Sequence, residues 1–504
     1  MKLRILRTAL TLFICGATLN ACGGSGSSNT TATPSTPSNT GTTNSAPIVA
    51  TTNADQNATV GSSFTYDATQ NDTTFSDADG DNLTYTVTFD PSNNGLSATD
   101  GEINGTPIND IVITVNITAN DGNGGSASDS FSITAVQPGT DQDAVMAQFQ
   151  GRIDLDNLAN YANQTVPDYI TKLNEGGNPI TDAGATLGRV LFYDTALSVN
   201  DTVSCSTCHM QSTGFSDTLT VSVGVEGGQT MRHSMRLINT QFADEDNFFW
   251  DERADSHEDQ ETQPLRDHNE HGFSGQNGRP DFDTLITKLE ALEYYQELFT
   301  FVYGDANITE ERLQQTLAQF TKSIFSFDSR FDVGRAQVNN NQANFPNFTS
   351  DENAGKRLFL TAPGAGGAGC QGCHRAPEFD IRPNSGHNGV FAVAGSIVDF
   401  DLTNTRSPSL RDLVGPGGSS NGPFMHDGSL PSLLDVINHY DAIQQPASDP
   451  PLTEWRNTID NRLLPGGNPQ TLNLTDIQKA QLVTFLQTLT GSNIYTDEKW
   501  SNPF

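Results

Sequence analysis

Residues 204–209 read SCSTCH and residues 369–374 read GCQGCH, two copies of one pattern 165 residues apart. C-x-x-C-H has a mechanical logic. Two thiols at that spacing reach the two vinyl groups of one haem, and the adjacent histidine then lies under the iron as its axial ligand. Other uses of paired cysteines fit less well. A structural zinc needs four protein ligands, and each unit offers at most three. A dithiol redox motif needs no histidine and comes with a βαβ pattern, which the sequence lacks. The expectation is two covalently attached haem c groups. One is held by Cys205, Cys208 and His209, the other by Cys370, Cys373 and His374, with the histidines as proximal iron ligands.

The N-terminal stretch MKLRILRTALTLFICGATLNAC sets Lys2, Arg4 and Arg7 before a short apolar run, the shape of a secretory signal. Leu19-Asn20-Ala21-Cys22 resembles a bacterial lipobox, so residues 1–21 are expected to be removed and Cys22 to carry lipid. Membrane attachment is then by the lipid anchor only, and the expected place is the periplasm or cell surface, as an outer-membrane lipoprotein. Of six cysteines, Cys15 leaves with the signal and Cys22 is lipidated. The four that remain are all in the motifs, which leaves none for a stabilising disulfide. No other run approaches the length needed to cross a membrane. Losing the three leading basic residues takes the formal charge from −34 to −37. Such a surface repels nucleic acid; it keeps the chain soluble and could steer a basic redox partner.

Residues 22–46, rich in Ser, Thr, Gly and Pro, form a disordered tether. Between 47 and 137, SSFTYDA, NLTYTVTF, DIVITVNITA and ASDSFSITAV alternate β-branched or aromatic with polar residues, separated by the turn clusters DADGD, DGEING and NDGNGG. That spacing predicts a β-sandwich. The segment resembles the cadherin-like and immunoglobulin-like modules of bacterial surface proteins. Asp77, Asp79, Asp81 and Asp121 could share a calcium ion, although Asp and Gly also suit tight turns. From residue 141 the period becomes helical, as in DFDTLITKLEALEYYQELFTFVYG, TEERLQQTLAQFTKSIFSF and LTDIQKAQLVTFLQTLTG, with Thr309 and Thr475 where N-caps belong. Each C-x-x-C-H follows a Gly-Arg or Gly-Lys-Arg helix. The fold class is therefore multidomain, an N-terminal β-sandwich followed by two mostly α-helical, cytochrome c-like haem domains at 141–345 and 346–495.

LGRVLFYDTALSVNDTVSCSTCHMQSTGFSD, FFWDERADSHEDQETQPLRDHNEHG, the second motif and TRSPSLRDL…GPFMHDGSLPSLLDVINHY together resemble the bacterial di-haem cytochrome c peroxidase/MauG family. The likeness spans about residues 145–495 and rests on five separated motifs in order. It implies that the first haem domain is peroxidatic and the second transfers electrons. Trp250 then matches the tryptophan between the haems, and Gln260 and Glu270 match the two polar residues above the first haem. Pro264 matches the proline that shapes that pocket. Splitting peroxide moves a proton from one oxygen to the other, which a glutamate can carry while Gln260 orients the peroxide. In this family a loop histidine often blocks the first iron. The loop VSVGVEGGQTMRHSM has none at that position, so the first iron is expected to be five-coordinate or water-bound, with His233 as an alternative ligand.

The family's distal ligand to the second haem lies fourteen residues beyond His426, at Tyr440, and this points to the MauG-like branch; Met425 is the other candidate. The calcium common between the family's haem domains is left open, because Asn421 and His233 replace two usual ligand residues although Pro423 remains. His257, His268, His271, His387 and His439 are expected to be packed or solvated. The leading expectation is an exported peroxidase that reduces hydrogen peroxide with electrons from a small cytochrome c or cupredoxin, or uses peroxide to oxidise a partner substrate in MauG fashion. The competing one is a non-catalytic surface electron-transfer module with a binding β-sandwich. Homodimerisation is left open.

Overall fold

The computed structural model describes residues 44–136, 143–244, 247–394, 396, 399–448 and 451–504. The expected signal, lipobox and most of the tether lie outside the described residues. The chain divides into two compact units, the second beginning near Ala135.

The first unit is all β. Strands β1 (Ile48–Val49), β2 (Gln56–Thr59), β3 (Phe64–Asp67), β4 (Phe75–Ser76), β5 (Thr84–Asp90), β6 (Leu96–Thr99), β7 (Glu102–Gly105), β8 (Ile111–Asn120) and β9 (Ser126–Val136) make a four-stranded sheet, β2-β9-β8-β5, and a three-stranded sheet, β3-β7-β6. A short β1-β4 pair completes it. The period-2 reading of the sequence is met residue by residue. Ile113, Val115, Ile117 and Ala119 of β8 are fully buried, as are Ile133 and Ala135 of β9, while their neighbours face outward.

The second unit carries helices α1 (Asp143–Phe149), α2 (Asp182–Tyr193), α3 (Cys205–Cys208), α4 (His257–Arg266), α5 (Phe282–Glu290), α6 (Glu293–Tyr303), α7 (Glu310–Lys322), α8 (Arg330–Arg335), α9 (Ser350–Leu360), α10 (Leu433–Asp441), α11 (Pro451–Thr458), α12 (Asp476–Gln487) and α13 (Asn493–Thr496). Thr309 caps α7 by accepting from Arg312 N, and Thr475 with Gln478 forms a capping box on α12. None of the described helices is long and apolar enough to cross a membrane.

The duplication seen in the sequence has a packing cause. Gly188 of α2 lies so close to α7 that a Cβ there would stand 2.0 Å from Thr316 O. Gly355 of α9 meets α12 in the same way, with Gln481 O at 1.9 Å. GRVLF (188–192) and GKRLF (355–359) are thus equivalent crossings, where only a missing side chain lets two helix backbones approach. Each crossing nucleates a separate apolar core, one around Leu187, Leu191, Phe192 and Phe320, the other around Phe331, Phe359, Phe379 and Phe485. The chain then returns to its beginning. Trp500 and Ile494 are buried in the first core. Lys499 O, Trp500 O and Ser501 O accept from Tyr161 Oη (2.5 Å), Tyr193 Oη (2.6 Å) and Arg189 Nε (2.7 Å).

Candidate haem sites and the carboxyls beside them

The first C-x-x-C-H forms a single helical turn, α3, capped by a Ser204–Thr207 box. Cys205 and Cys208 are free thiols. Burial raises both, Cys208 to about 12, so neither carries the thiolate of a reactive dithiol. His209 follows with Nδ1 at 3.2 Å from Phe215 O. Burial lowers its pKa, so the ring is neutral, Nδ1–H donates to the carbonyl, and Nε2 keeps its lone pair for a metal.

The second motif, with His374 opening a two-residue strand, lines a cavity of about 520 Å³. That volume falls within the roughly 300–1,000 Å³ of cofactor and ligand sites. Cys370, Cys373 and His374 are on its wall, together with Leu433, Leu482 and Leu486. His374 Nδ1 is buried without a partner, and burial lowers the ring to about 4. Two thiols, a neutral imidazole and apolar walls fit a covalently held haem.

Tyr440 and Met425 both line this cavity. Burial raises the Tyr440 phenol, and the Cys373 and Cys370 thiols add to that. Met425 Sδ accepts from Asn388 Nδ2 at 3.1 Å, so its sulfur is already engaged. A satellite core of Leu402, Ile443, Trp455 and Ile459 packs behind Tyr440.

Trp250 is buried on the same cavity. Its Nε1 donates to His233 O at 2.7 Å, and its own carbonyl accepts from Thr405 and Arg406 N at 3.0 and 3.1 Å. The indole is thereby fixed between the segment after the first motif and the segment after the second. Its ring centre is 6.4 Å from that of His426.

The helix α4 presents the residues expected over the first site. Gln260 and Pro264 lie on it, and Glu270 follows in the loop. Burial raises the Glu270 carboxyl to about 7, with Asp267 raising it further and Arg253 opposing. The loop 222–230 fixes this segment from outside. Val225 N donates to Glu270 O at 3.0 Å, and a Cβ on Gly224 would stand 2.0 Å from Asn269 O. His271, next to Glu270, holds this segment to the stretch just ahead of the first motif. Its carbonyl accepts from Val199 N at 3.0 Å and its Nδ1 lies 2.9 Å from Leu197 O, and the Glu270 charge acts on the Cys205 and Cys208 thiols.

The His233 ring is buried, with Nδ1 at 2.8 Å from Leu219 O and Nε2 at 3.4 Å from Ser216 Oγ. Both nitrogens are engaged. Beside Asn421, the buried Arg236 guanidinium lies 3.4 Å from Asn421 O. His257, His271, His387 and His439 are buried or half-buried, and the last three bond to the carbonyls of Leu197, Trp455 and Asn388; His268 meets Ser274 Oγ.

In the β unit, Asp77, Asp81 and Asp121 each bring one carboxylate oxygen within 4.8 Å of the others. Asp77 Oδ2 is buried without a hydrogen bond. Asp79 stands outside this group and accepts from Ser45 N at 2.6 Å.

One acid escaped the sequence reading. Glu261, next to Gln260, turns inward between α4 and α7, where Thr321 Oγ1 donates to it at 2.7 Å. HEDQETQPLR reads as a solvated helix, and only the packing of α4 on α7 shows that this one acid is withdrawn.

Two C-x-x-C-H turns in a duplicated helical fold, the second on a cavity that Trp250 also lines, define a two-haem c-type oxidoreductase. Comparison with known proteins agrees. The family model for di-haem cytochrome c peroxidase matches residues 182–340, and an Ig-domain model matches residues 46–136. The chain is 31% identical over 322 residues to the methylamine utilization protein MauG of Methylophilus methylotrophus, covering 62% of this chain and 84% of that protein. It is 26% identical over 273 residues to the cytochrome c551 peroxidase of Nitrosomonas europaea, covering 52% and 73%. A MauG-like protein associated with microbial copper homeostasis has a similar crystal structure, with TM-score 0.54, 25% identity, and coverage of 68% of this chain and 99% of that one. The chain belongs to the di-haem cytochrome c peroxidase/MauG family of oxidoreductases and carries an Ig-like domain before it.

Proposed function

We propose that the chain is an exported peroxidase that reduces hydrogen peroxide to water, with electrons from a small cytochrome c or cupredoxin or from a partner substrate that is oxidised in the process. The observation that carries this reading is the Glu270 carboxyl, raised to about 7 beside the first motif. A peroxide-splitting site needs a group that can accept and return a proton near neutral pH.

Cys205, Cys208 and His209 would hold the haem whose redox-active iron serves the reaction, and Cys370, Cys373, His374 and Tyr440 would hold a second haem able to supply electrons. Glu270 takes a proton from one peroxide oxygen and delivers it to the other as the O–O bond breaks. Gln260 orients the peroxide by hydrogen bonds, and Pro264 shapes the turn that leads to Glu270. Two electrons and two further protons complete two waters. Trp250, tied to both halves by backbone hydrogen bonds, bridges the two sites with an aromatic ring.

Export and lipidation at Cys22 are part of this reading and rest on the leader sequence. Calcium at Asp77, Asp81 and Asp121 is supported by the convergence of three carboxylates and by the buried, unpartnered Asp77 oxygen. The test of the main reading is addition of stoichiometric peroxide to the ferric holoprotein. A high-spin ferric signal that peroxide abolishes, and that persists in Glu270→Gln, is expected; two low-spin haems indifferent to peroxide would leave only electron transfer.

A further inference from the structure

The first haem site is flanked by a second acid that the peroxide chemistry above does not use. Glu261 lies one residue beyond Gln260 on α4 and turns toward α7. Among the described residues its carboxyl has one hydrogen-bond donor, Thr321 Oγ1, at 2.7 Å. Cys205 packs against the same apolar core as Leu265 of α4 and Phe320 of α7, and the Glu261 charge acts on its thiol more strongly than that of Glu270. Glu261 therefore stands at the edge of the first site on the Cys205 side.

The charged groups around it are few and come from each element packed there. Glu258 is one turn back on α4, Lys322 is on α7, and Cys205, uncharged once its sulfur is a thioether, is on α3. Lys322 is buried, and its Nζ donates to Asn178 O (2.6 Å), Glu175 O (3.1 Å) and Glu258 Oε1 (3.3 Å). Glu258 reaches the surface and accepts from Asn178 Nδ2 at 2.8 Å. Lysine and Glu258 thus form a polar column from the surrounding water to the neighbourhood of Glu261. The ammonium favours the Glu261 anion; Glu258 and the low-polarity surroundings favour the acid.

We propose that Glu261 is the proton-accepting partner of electron transfer at the first haem. When one electron enters the site from a reductant, one proton from the solvent adds to the Glu261 carboxylate and makes the neutral acid. When the electron leaves, that proton returns to water. The buried site thus changes oxidation state without changing its net charge. Burial supports this assignment by raising the carboxyl to about 7, with the Thr321 hydroxyl and Lys322 opposing and Glu258 reinforcing. Glu261 does not touch peroxide in this scheme, so it positions charge and does not catalyse bond cleavage.

The inference rests on haem at the first motif and is independent of whether peroxide is the substrate. It is tested by spectroelectrochemical titration of the first haem in the holoprotein between pH 5.5 and 8.5. The midpoint is expected to fall with rising pH, approaching about 59 mV for each tenfold drop in proton concentration around pH 7. Glu261→Gln should flatten this slope, and Glu270→Gln should leave most of it. A wild-type slope in Glu261→Gln, or a slope abolished by Glu270→Gln alone, would overturn the assignment. Should Glu261→Gln fail to load haem, Thr321→Val removes only the donor to the anion. It is expected to move the inflection to higher pH, and an unmoved inflection would equally overturn it. Peroxide reactivity, measured separately, decides the parent reading.

Discussion

A group that accepts and returns a proton works best when its pKa is near the ambient pH, and burial brings Glu270 to about 7. The peroxide reaction is therefore expected to have kcat/KM rising with pH up to about 7 and level above it, because the ionised carboxylate is the competent base. Glu270→Gln should lower it by about 10²–10⁴-fold, read in a stopped-flow pH profile. The same residues carry a stability signature. Glu261 and Glu270 have folded-state pKa values raised from 4.5 to about 7. The native state binds more protons than the unfolded one between those values, so stability is full below about 4.5 and declines as pH rises toward 7, by at most about 3 kcal/mol for each acid. Thermal melts of the double glutamine variant should lose that decline. At the second site, Tyr440→Met should raise the haem midpoint, since a thioether ligand favours reduced iron over a phenolate; an unchanged midpoint would mean that Tyr440 is not a ligand.

At the scale of elements, the motifs were legible because covalent attachment fixes residue types at fixed spacing, whatever the surrounding packing. The strands of the Ig-like unit were legible for a related reason, since a sandwich buries every second residue and the alternation shows in β8 and β9. What α4 does was not legible. Its ten residues HEDQETQPLR look solvated, yet His257, Thr262 and Leu265 are buried and Glu261 accepts from Thr321 Oγ1. A helix whose inward face is polar has no apolar period to read. Nor could the confinement of Glu270 be seen, because it depends on Gly224 and Val225, some 45 residues earlier in the chain. Glycines 188 and 355 were visible only as parts of repeated helices. Their backbone contacts predict that Gly188→Ala or Gly355→Ala costs about 1–3 kcal/mol, seen as a lower thermal midpoint and poorer haem loading.

For the whole molecule, two independently cored units imply separable behaviour. Deleting residues 44–136 is expected to leave peroxide turnover within about twofold of the parent, measured on purified holoprotein. Calcium should raise the melting transition of the β unit alone, and Asp121→Asn should abolish that rise while leaving the haem spectra unchanged. The docking of Trp500 and its neighbours onto Tyr161, Arg189 and Tyr193 has another consequence. On the export route proposed above, the segment bearing Cys205 would cross the membrane nearly three hundred residues ahead of the indole that seals its core. The earlier attachment turn would then stay open until translocation is almost finished, and a premature stop near residue 490 would leave the amino-terminal half unsealed, a ready target for proteolysis.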